Sequence, residues 1–137
     1  ALWWEQYSGS VFTNVVHPLF FETFVNPNVN KIPSDKAKID HVLTNVAPEM
    51  FGYLESQIGE KGFLVGSVPT VPDWHLASAL TTMQYLGFAL DGQRFARLES
   101  HYRRTTRTPA MRQALRDEQP TVKGMGLKSD FLGDVLT

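Results

Sequence analysis

Apolar residues recur at helical spacing along most of the chain and predict five helices. The first apolar stripe runs over residues 2–25 and is broad, which predicts a helix buried on more than one side. Because Pro18 removes a backbone hydrogen bond, we expect a kink near Val15–His17. The segment Asn26–Asn28 is expected to end this helix, with residues 29–33 forming a loop.

The rest of the chain continues the helical pattern. A second amphipathic helix is predicted from an N-cap at Ser34, with a bend at Pro48 and a stop at Gly59. Three more helices are predicted: a central buried one over residues 70–90, a fourth over 93–105, and a short one opened by Thr108-Pro109 and running through Leu115. No stretch alternates with period two, so the predicted fold class is all-α, an irregular helical bundle.

Length and composition describe one soluble domain. The chain has 137 residues, 42% of them hydrophobic, and a net charge of −1, so we expect a single domain over residues 1–137 with a tail from about residue 119. The absence of cysteine excludes disulfides, thiolate metal sites and a cysteine nucleophile. Apolar runs are shorter than the roughly 18–20 residues that span a bilayer, so no membrane association is predicted.

The most specific local pattern is Thr70-Val71-Pro72-Asp73, which has the spacing of a capping box. The Thr70 side chain can accept from the backbone N–H of Asp73, while the Asp73 carboxylate can accept from the N–H of Thr70. This arrangement satisfies two donors that a helix start otherwise leaves free. We therefore predict a structural role for Thr70 and Asp73, which position the central helix without taking part in chemistry.

This box, preceded by the apolar segment Phe63–Gly66, resembles the helical C-terminal domain of cytosolic glutathione S-transferases. Other stretches are similar to phi-like and bacterial members: Trp4-Glu5, His17-Pro18-Leu19-Phe20-Phe21-Glu22, Asn26-Pro27 and Arg107-Thr108-Pro109-Ala110. The resemblance covers about residues 2–118. Ser67, Pro72 and the extra Thr108 depart from the common pattern and leave the subclass open.

The resemblance implies a cytoplasmic, homodimeric detoxification enzyme that conjugates glutathione to small apolar electrophiles. In that family a thioredoxin-like N-terminal domain binds most of the co-substrate glutathione and activates its thiol. Because the sequence begins at Ala1 without such a segment, we expect no catalytic residue in this chain and no conjugating activity from it alone. By resemblance, Phe12 and Val16 line the hydrophobic-substrate pocket, with Tyr7 and Thr13 as weaker neighbours. The alternative is that these side chains are ordinary core.

Two other functions remain open from the sequence. One is a non-catalytic glutathione-transferase-like module that binds other proteins. The other is an independent helical ligand-binding domain without a partner domain, although the broad apolar surface of residues 2–25 argues against it, because a lone domain would expose that patch to solvent. A metal site is not predicted, because the four histidines lack the spacing that places two ligands on one helix face. We expect His75 to lie on a helix surface or to be buried with its hydrogen bonds satisfied.

Charge is unevenly distributed along the chain. Seven arginines against the single acid Glu99 give +6 over residues 92–116, whereas four lysines against nine acids give −5 over residues 1–91. A basic face can bind phosphate, RNA or an acidic partner, or it can pair with acidic helices of the same fold. Because the whole chain carries no net positive charge, nucleic-acid binding is not predicted.

Overall fold

Residues 2–137, which a computed structural model describes, form five helices and one 3₁₀ helix, with no β-strand among them. This confirms the prediction of an all-α fold. The segment Phe63–Gly66 makes only an isolated antiparallel bridge, in which the N–H of Phe63 donates to the carbonyl of Gly66 at 2.9 Å. No helix among these residues is both long and apolar enough to cross a membrane.

The first helix, α1, is one continuous rod that alternates between α-helical and wider π-helical turns. Its segments are α-helical Leu2–Val11, π-helical Phe12–Val16, α-helical His17–Phe20 and π-helical Phe21–Asn30. The first wide turn directly precedes Pro18 and the second contains Pro27. Proline offers no N–H and its ring collides with the carbonyl four residues back, so a wider turn relieves the clash. Where a kink was expected, near Val15–His17, the helix instead continues through a π-helical turn.

The end of α1 differs from the prediction. Asn26–Asn28 does not stop the helix, which continues to Asn30 and ends where Lys31 adopts a left-handed conformation with φ of 57°. The side chain of Asn30 donates to Asn26 Oδ1 at 3.0 Å, and this contact along the helix supports the extra turn. The widened turn accommodates Pro27, which is why the proline failed to mark the boundary.

The second helix, α2, consists of α-helical Lys36–His41, π-helical Val42–Val46 and α-helical Ala47–Gln57. Its N-cap is Asp35 rather than Ser34, because the Asp35 carboxylate accepts from the N–H of Lys38 at 3.1 Å. The wide turn again precedes a proline, Pro48.

The remaining helices are α3 over Val71–Tyr85, α4 over Ala96–Thr106 and α5 over Pro109–Gly124, followed by the 3₁₀ helix Asp130–Leu136. α5 begins at the predicted Thr108-Pro109, yet it continues past Leu115 and through Pro120. The tail expected from about residue 119 therefore starts after Gly124. α3 ends five residues earlier than predicted, where Gly87 takes a φ of 98° that favours glycine.

The core is built around α3, which packs against α1 on one side and α4 on the other. Four apolar α3 side chains are completely buried: Leu76, Ala77, Ala79 and Leu80. The small alanines allow close approach of the neighbouring helices, as expected for the central helix of a bundle. This packing sets one face of α1 beside the first turns of α3, which is where the candidate site lies.

Candidate functional site

An open groove of about 500 Å³ lies where α1 meets the start of α3. The lining comes from α1, with Gln6, Phe12, Thr13 and Asn14 among its side chains, and from His75 on α3. Phe12 is the aromatic residue of the groove and is 41% exposed. Phe12 supplies the apolar surface of this groove, and the other lining residues are polar or glycine.

Gly9 shapes the groove beside the histidine. A Cβ atom at this position would lie 3.4 Å from Cε1 of His75, in van der Waals contact. A larger side chain at Gly9 would therefore cover the imidazole, whereas glycine leaves it open to the groove. Of the two alternatives expected for His75, a helix surface or a buried position with satisfied hydrogen bonds, the structure shows the exposed one, and its contribution to this groove was not predicted.

The polar groups of the groove have complementary hydrogen-bonding capacity. The hydroxyl of Ser10 donates to the carbonyl of Tyr7 at 2.7 Å, and that of Thr13 donates to the carbonyl of Gly9 at 3.1 Å. Each hydroxyl therefore donates its hydrogen bond to a carbonyl of its own helix, and it can only accept a hydrogen bond from a ligand. The side chains of Gln6 and His75 have no hydrogen-bond partner within residues 2–137, so both are free to bind one.

The four predicted pocket residues separate into two groups. Phe12 and Thr13 lie on the groove, while Val16 is 1% exposed and belongs to the core. The resemblance placed Phe12 and Val16 together on the pocket, but the π-helical turn Phe12–Val16 adds a residue to that turn and changes the face that Val16 presents. Val16 is thus ordinary core, which is the alternative considered from the sequence.

Tyr7 also points away from the groove. Its hydroxyl donates to the carbonyl of Met50 on α2 at 3.4 Å. Its ring stacks on Trp3 with centroids 5.3 Å apart and lies 5.1 Å from the ring of Tyr53. Tyr7 therefore belongs to an aromatic cluster between α1 and α2, defined here as Trp3, Tyr7 and Tyr53.

The capping residues Thr70 and Asp73 lie at the start of α3 in a capping-box arrangement. Asp73 Oδ2 accepts from the N–H of Thr70 at 2.8 Å and from its hydroxyl at 3.1 Å. The other oxygen, Oδ1, accepts from the N–H of Leu64 at 2.8 Å and lies 2.7 Å from Nε2 of His101. A fully buried carboxylate with four donors organises the fold and is out of reach of any substrate.

The environment of Asp73 controls its ionisation. Burial alone raises the pKa of a carboxyl group, but the hydrogen bonds from His101, Leu64 and Thr70 outweigh it and lower the pKa of Asp73 below its ordinary value. The carboxylate is thus charged, and Nε2 of His101 donates to it. The sequence offered no signal for His101, since the two residues are 28 positions apart and meet only through helix packing.

Most of the basic segment pairs within the fold. Arg97 lies 3.7 Å from Glu60, Arg103 2.8 Å from Glu99, and Arg107 2.9 Å from Asp134. Arg104 donates to the carbonyl of Gly62 at 2.9 Å. These contacts favour internal pairing over a nucleic-acid surface. Within residues 2–137, no three side chains of His, Asp or Glu come together in a way that could hold a metal ion.

Comparison with known families identifies one match. The family model described as "Glutathione S-transferase, C-terminal domain" matches residues 20–118, which run from the middle of α1 into α5 and include the capping box, His75 and His101. The α1 side of the groove, residues 6–14, precedes the matched region. No curated protein and no solved structure matches the chain.

Proposed function

The chain belongs to the glutathione S-transferase C-terminal domain family, and from this premise we propose that it forms the substrate-binding half of a glutathione S-transferase. Its role would be to hold a small apolar electrophile while a thioredoxin-like N-terminal domain binds glutathione and activates the thiol. The proposal extends to the cytoplasmic, homodimeric detoxification enzyme that the resemblance implies.

The observation that carries the proposal is the groove between α1 and α3. It presents the exposed ring of Phe12 beside groups that can accept or donate hydrogen bonds, Thr13 and His75 among them. An aromatic electrophile can pack against Phe12 while a polar substituent bonds to the rim.

The chemistry of such an enzyme divides between two domains. The thiolate of glutathione attacks the electrophilic carbon and displaces its leaving group, and holding the two reactants together supplies much of the rate. The groove residues contribute orientation of the electrophile, since none of the groove side chains is an activated nucleophile. We therefore expect the chain alone to bind the electrophile and to give no turnover.

Binding of 1-chloro-2,4-dinitrobenzene to the purified chain tests the proposal. We expect saturable shifts of the His75 ring signals in an NMR titration. Phe12→Ala should weaken binding about tenfold, because losing a buried aromatic contact costs on the order of 1–2 kcal/mol. Phe21→Ala is the matched control: Phe21 lies on the same helix with a similar exposure of 39%, outside the groove.

Three outcomes would contradict this reading. One is the absence of saturable binding, and another is equal weakening by Phe12→Ala and Phe21→Ala. The third concerns activity: turnover of glutathione and the electrophile by the chain alone, well above the uncatalysed rate, would show that the thiol is activated here.

A second candidate function, a non-catalytic protein-interaction module, is supported by the aromatic cluster. Trp3 is 48% and Tyr53 40% exposed, although their rings lie only 5.8 Å apart. Exposed, closely packed aromatics are typical of protein contact sites. This candidate predicts that the groove does not bind the electrophile, so the NMR titration gives no saturable shifts and Phe12→Ala changes nothing in it. Electrophile binding in the groove that depends on Phe12 would argue against it.

A further inference from the structure

A second, smaller cavity of about 200 Å³ lies between α2, the end of α3 and the loop of residues 86–95 that leads into α4. Phe51 on α2, Met83 on α3 and Phe95 in the loop line it, and all three side chains are buried. The cavity shares no lining residue with the α1–α3 groove. A ligand of this cavity would therefore bind separately from the electrophile.

The walls of the cavity are apolar and have room for one ring. The rings of Phe51 and Phe95 meet edge to face with centroids 5.8 Å apart, and Leu43, Ala47 and Met83 extend the apolar lining. A protein cavity of about 150 Å³ with a comparable aliphatic and aromatic lining binds benzene. The cavity can thus hold a phenyl group or a branched aliphatic side chain.

Two charged residues, Asp91 and Arg94, complete the lining, and both are exposed. They therefore lie at the opening of the cavity. The guanidinium carbon of Arg94 lies 5.1 Å from the centroid of the Phe95 ring, a cation–π contact that holds the positive charge over one wall. Oδ1 of Asp91 accepts from the N–H groups of Gln93 and Arg94, both at 3.1 Å, which holds the carboxylate within the same turn.

Neither charge at the opening is paired. Within residues 2–137, Asp91 and Arg94 take part in no ion pair, whereas Arg97 pairs with Glu60 at 3.7 Å. Because both side chains are exposed and already held by local contacts, a ligand can reach them without moving the core, and little ordering free energy is lost on binding. One positive and one negative group at the opening of an apolar cavity match a ligand whose polar end carries both charges.

From the apolar cavity and the two unpaired charges at its opening, we propose that this site binds a free apolar α-amino acid. The side chain of the amino acid occupies the cavity, its α-carboxylate pairs with Arg94, and its α-ammonium group pairs with Asp91. A simple carboxylate would be repelled by Asp91, and a simple amine would be repelled by Arg94. The site goes beyond the proposed electrophile groove and does not depend on it.

Three ligands with the same phenyl ring test the proposal: L-phenylalanine, hydrocinnamate, which lacks the ammonium group, and phenethylamine, which lacks the carboxylate. Each is titrated at neutral pH and constant ionic strength into the chain labelled with ¹³C at its methionine methyl groups. We expect phenylalanine to give a saturable shift of the Met83 methyl signal and no shift at Met111 or Met125, which lie outside the cavity. The other two ligands should bind up to about fivefold more weakly, since each loses one exposed ion pair.

Substitutions at the opening should affect the three ligands differently. Asp91→Asn should weaken phenylalanine binding by up to about fivefold without weakening hydrocinnamate binding, and its amide oxygen can still accept from the two N–H groups of the turn. Arg94→Gln should weaken binding of phenylalanine and hydrocinnamate but not of phenethylamine. Arg97→Gln is the matched control, because Arg97 is an exposed arginine outside the cavity whose charge is paired with Glu60.

Ala89→Leu tests the location of the ligand. Ala89 is an exposed residue of the lining, so a leucine there adds apolar bulk at the cavity without enlarging a buried side chain. It should abolish the Met83 shift with all three ligands, and an unchanged phenylalanine affinity would show that the ligand binds elsewhere. Phe12→Ala should leave phenylalanine binding intact, so the cavity and the electrophile groove can fail independently.

Several results would overturn the site. They are a Met83 signal that does not saturate, binding of hydrocinnamate or phenethylamine as tight as that of phenylalanine, and equal effects of Arg94→Gln and Arg97→Gln. Circular dichroism establishes that each variant is folded. The comparison of the three ligands needs only the parent chain, so it decides the question even if a variant unfolds.

Discussion

Nε2 of His101 lies 2.7 Å from Oδ1 of Asp73, and both side chains are completely buried. This hydrogen bond joins the middle of α4 to the first turn of α3. The same carboxylate holds the N–H groups of Leu64 and Thr70, so one side chain connects two helices and the segment before them. The other ring nitrogen of His101 has no partner among the described residues, which makes the Asp73 contact its sole polar anchor there.

Replacing Asp73 should destabilise the fold strongly. We expect Asp73→Asn to lower the free energy of unfolding by about 3 kcal/mol, because an amide cannot accept from all four donors and leaves buried groups unsatisfied. Urea denaturation at pH 7 measures the change. Asp40→Asn, on an exposed residue without a side-chain hydrogen bond, should change stability by less than about 0.5 kcal/mol. Similar losses in both variants would contradict the central role of Asp73.

Asp73 should also contribute to unfolding in acid. Its pKa is lower in the folded chain than in the unfolded chain, so its stabilisation is complete above the unfolded pKa of about 4 and is lost as pH falls through the folded value. Between these values the unfolded state binds more protons, and stability decreases. Urea denaturation from pH 6 to pH 2 should therefore show a shallower acid decline in Asp73→Asn than in the parent chain. Parallel declines would contradict the lowered pKa.

Glu55 on α2 caps the start of α4. Its carboxylate accepts from the N–H of Arg97 at 3.0 Å and from the N–H of Leu98 at 2.9 Å. We expect Glu55→Ala to cost about 1 kcal/mol, as for loss of other N-caps, with thermal or urea unfolding as the measurement. Glu49→Ala on the same helix is the control, because Glu49 is exposed and contacts no helix start. If Glu55→Ala loses no more stability than Glu49→Ala, then the hydrogen bonds from Arg97 and Leu98 to Glu55 do not stabilise the fold.

Tyr102 should limit stability at high pH. Burial raises the pKa of Tyr102 to about 12, with a smaller contribution from the Glu118 carboxylate. The contribution of Tyr102 to the stability of the fold is complete below the unfolded-state pKa of about 10 and is lost as pH rises through about 12. The reason is that the Tyr102 hydroxyl loses its proton at lower pH in the unfolded state than in the folded state. The shift corresponds to at most roughly 3 kcal/mol.

Tyr102→Phe isolates this effect. The variant loses the hydrogen bond between the Tyr102 hydroxyl and Thr81 Oγ1, 2.8 Å long, so it should be less stable at pH 8. Between pH 9 and 11.5, however, its stability should fall less steeply than that of the parent chain. Tyr53→Phe replaces an exposed tyrosine and should leave the decrease in stability between pH 9 and 11.5 unchanged. An equally steep fall in Tyr102→Phe would assign the alkaline unfolding to other groups.

Local patterns predicted the helices well in some places and poorly in others. The starts of α3 and α5 followed from Thr70 and Thr108-Pro109, where the signal lies within a few residues of the boundary. The end of α1 was wrong because a π-helical turn absorbs Pro27 and carries the helix to Asn30. A proline marks a break only when the backbone cannot widen around it.

The residues named from the resemblance lie in different parts of the structure. Phe12 and Thr13 lie on the groove, whereas Val16 is core and Tyr7 faces α2. His75 was missed because its groove position depends on how α3 packs against Gly9 of α1. The resemblance did not indicate the π-helical turn Phe12–Val16, which changes the faces that these α1 side chains present.

The sequence by itself determined the helical class and the start of the central helix, because apolar periodicity and capping chemistry act over a few neighbouring residues. The family followed from the resemblance of its motifs, and the family model matches residues 20–118. Only the tertiary structure decided which side chains meet across helices. His101 reaches Asp73, Glu55 reaches α4, and Arg107 reaches Asp134, over separations of 27 to 43 positions. Such contacts depend on where packed helices place their faces, which no local pattern specifies.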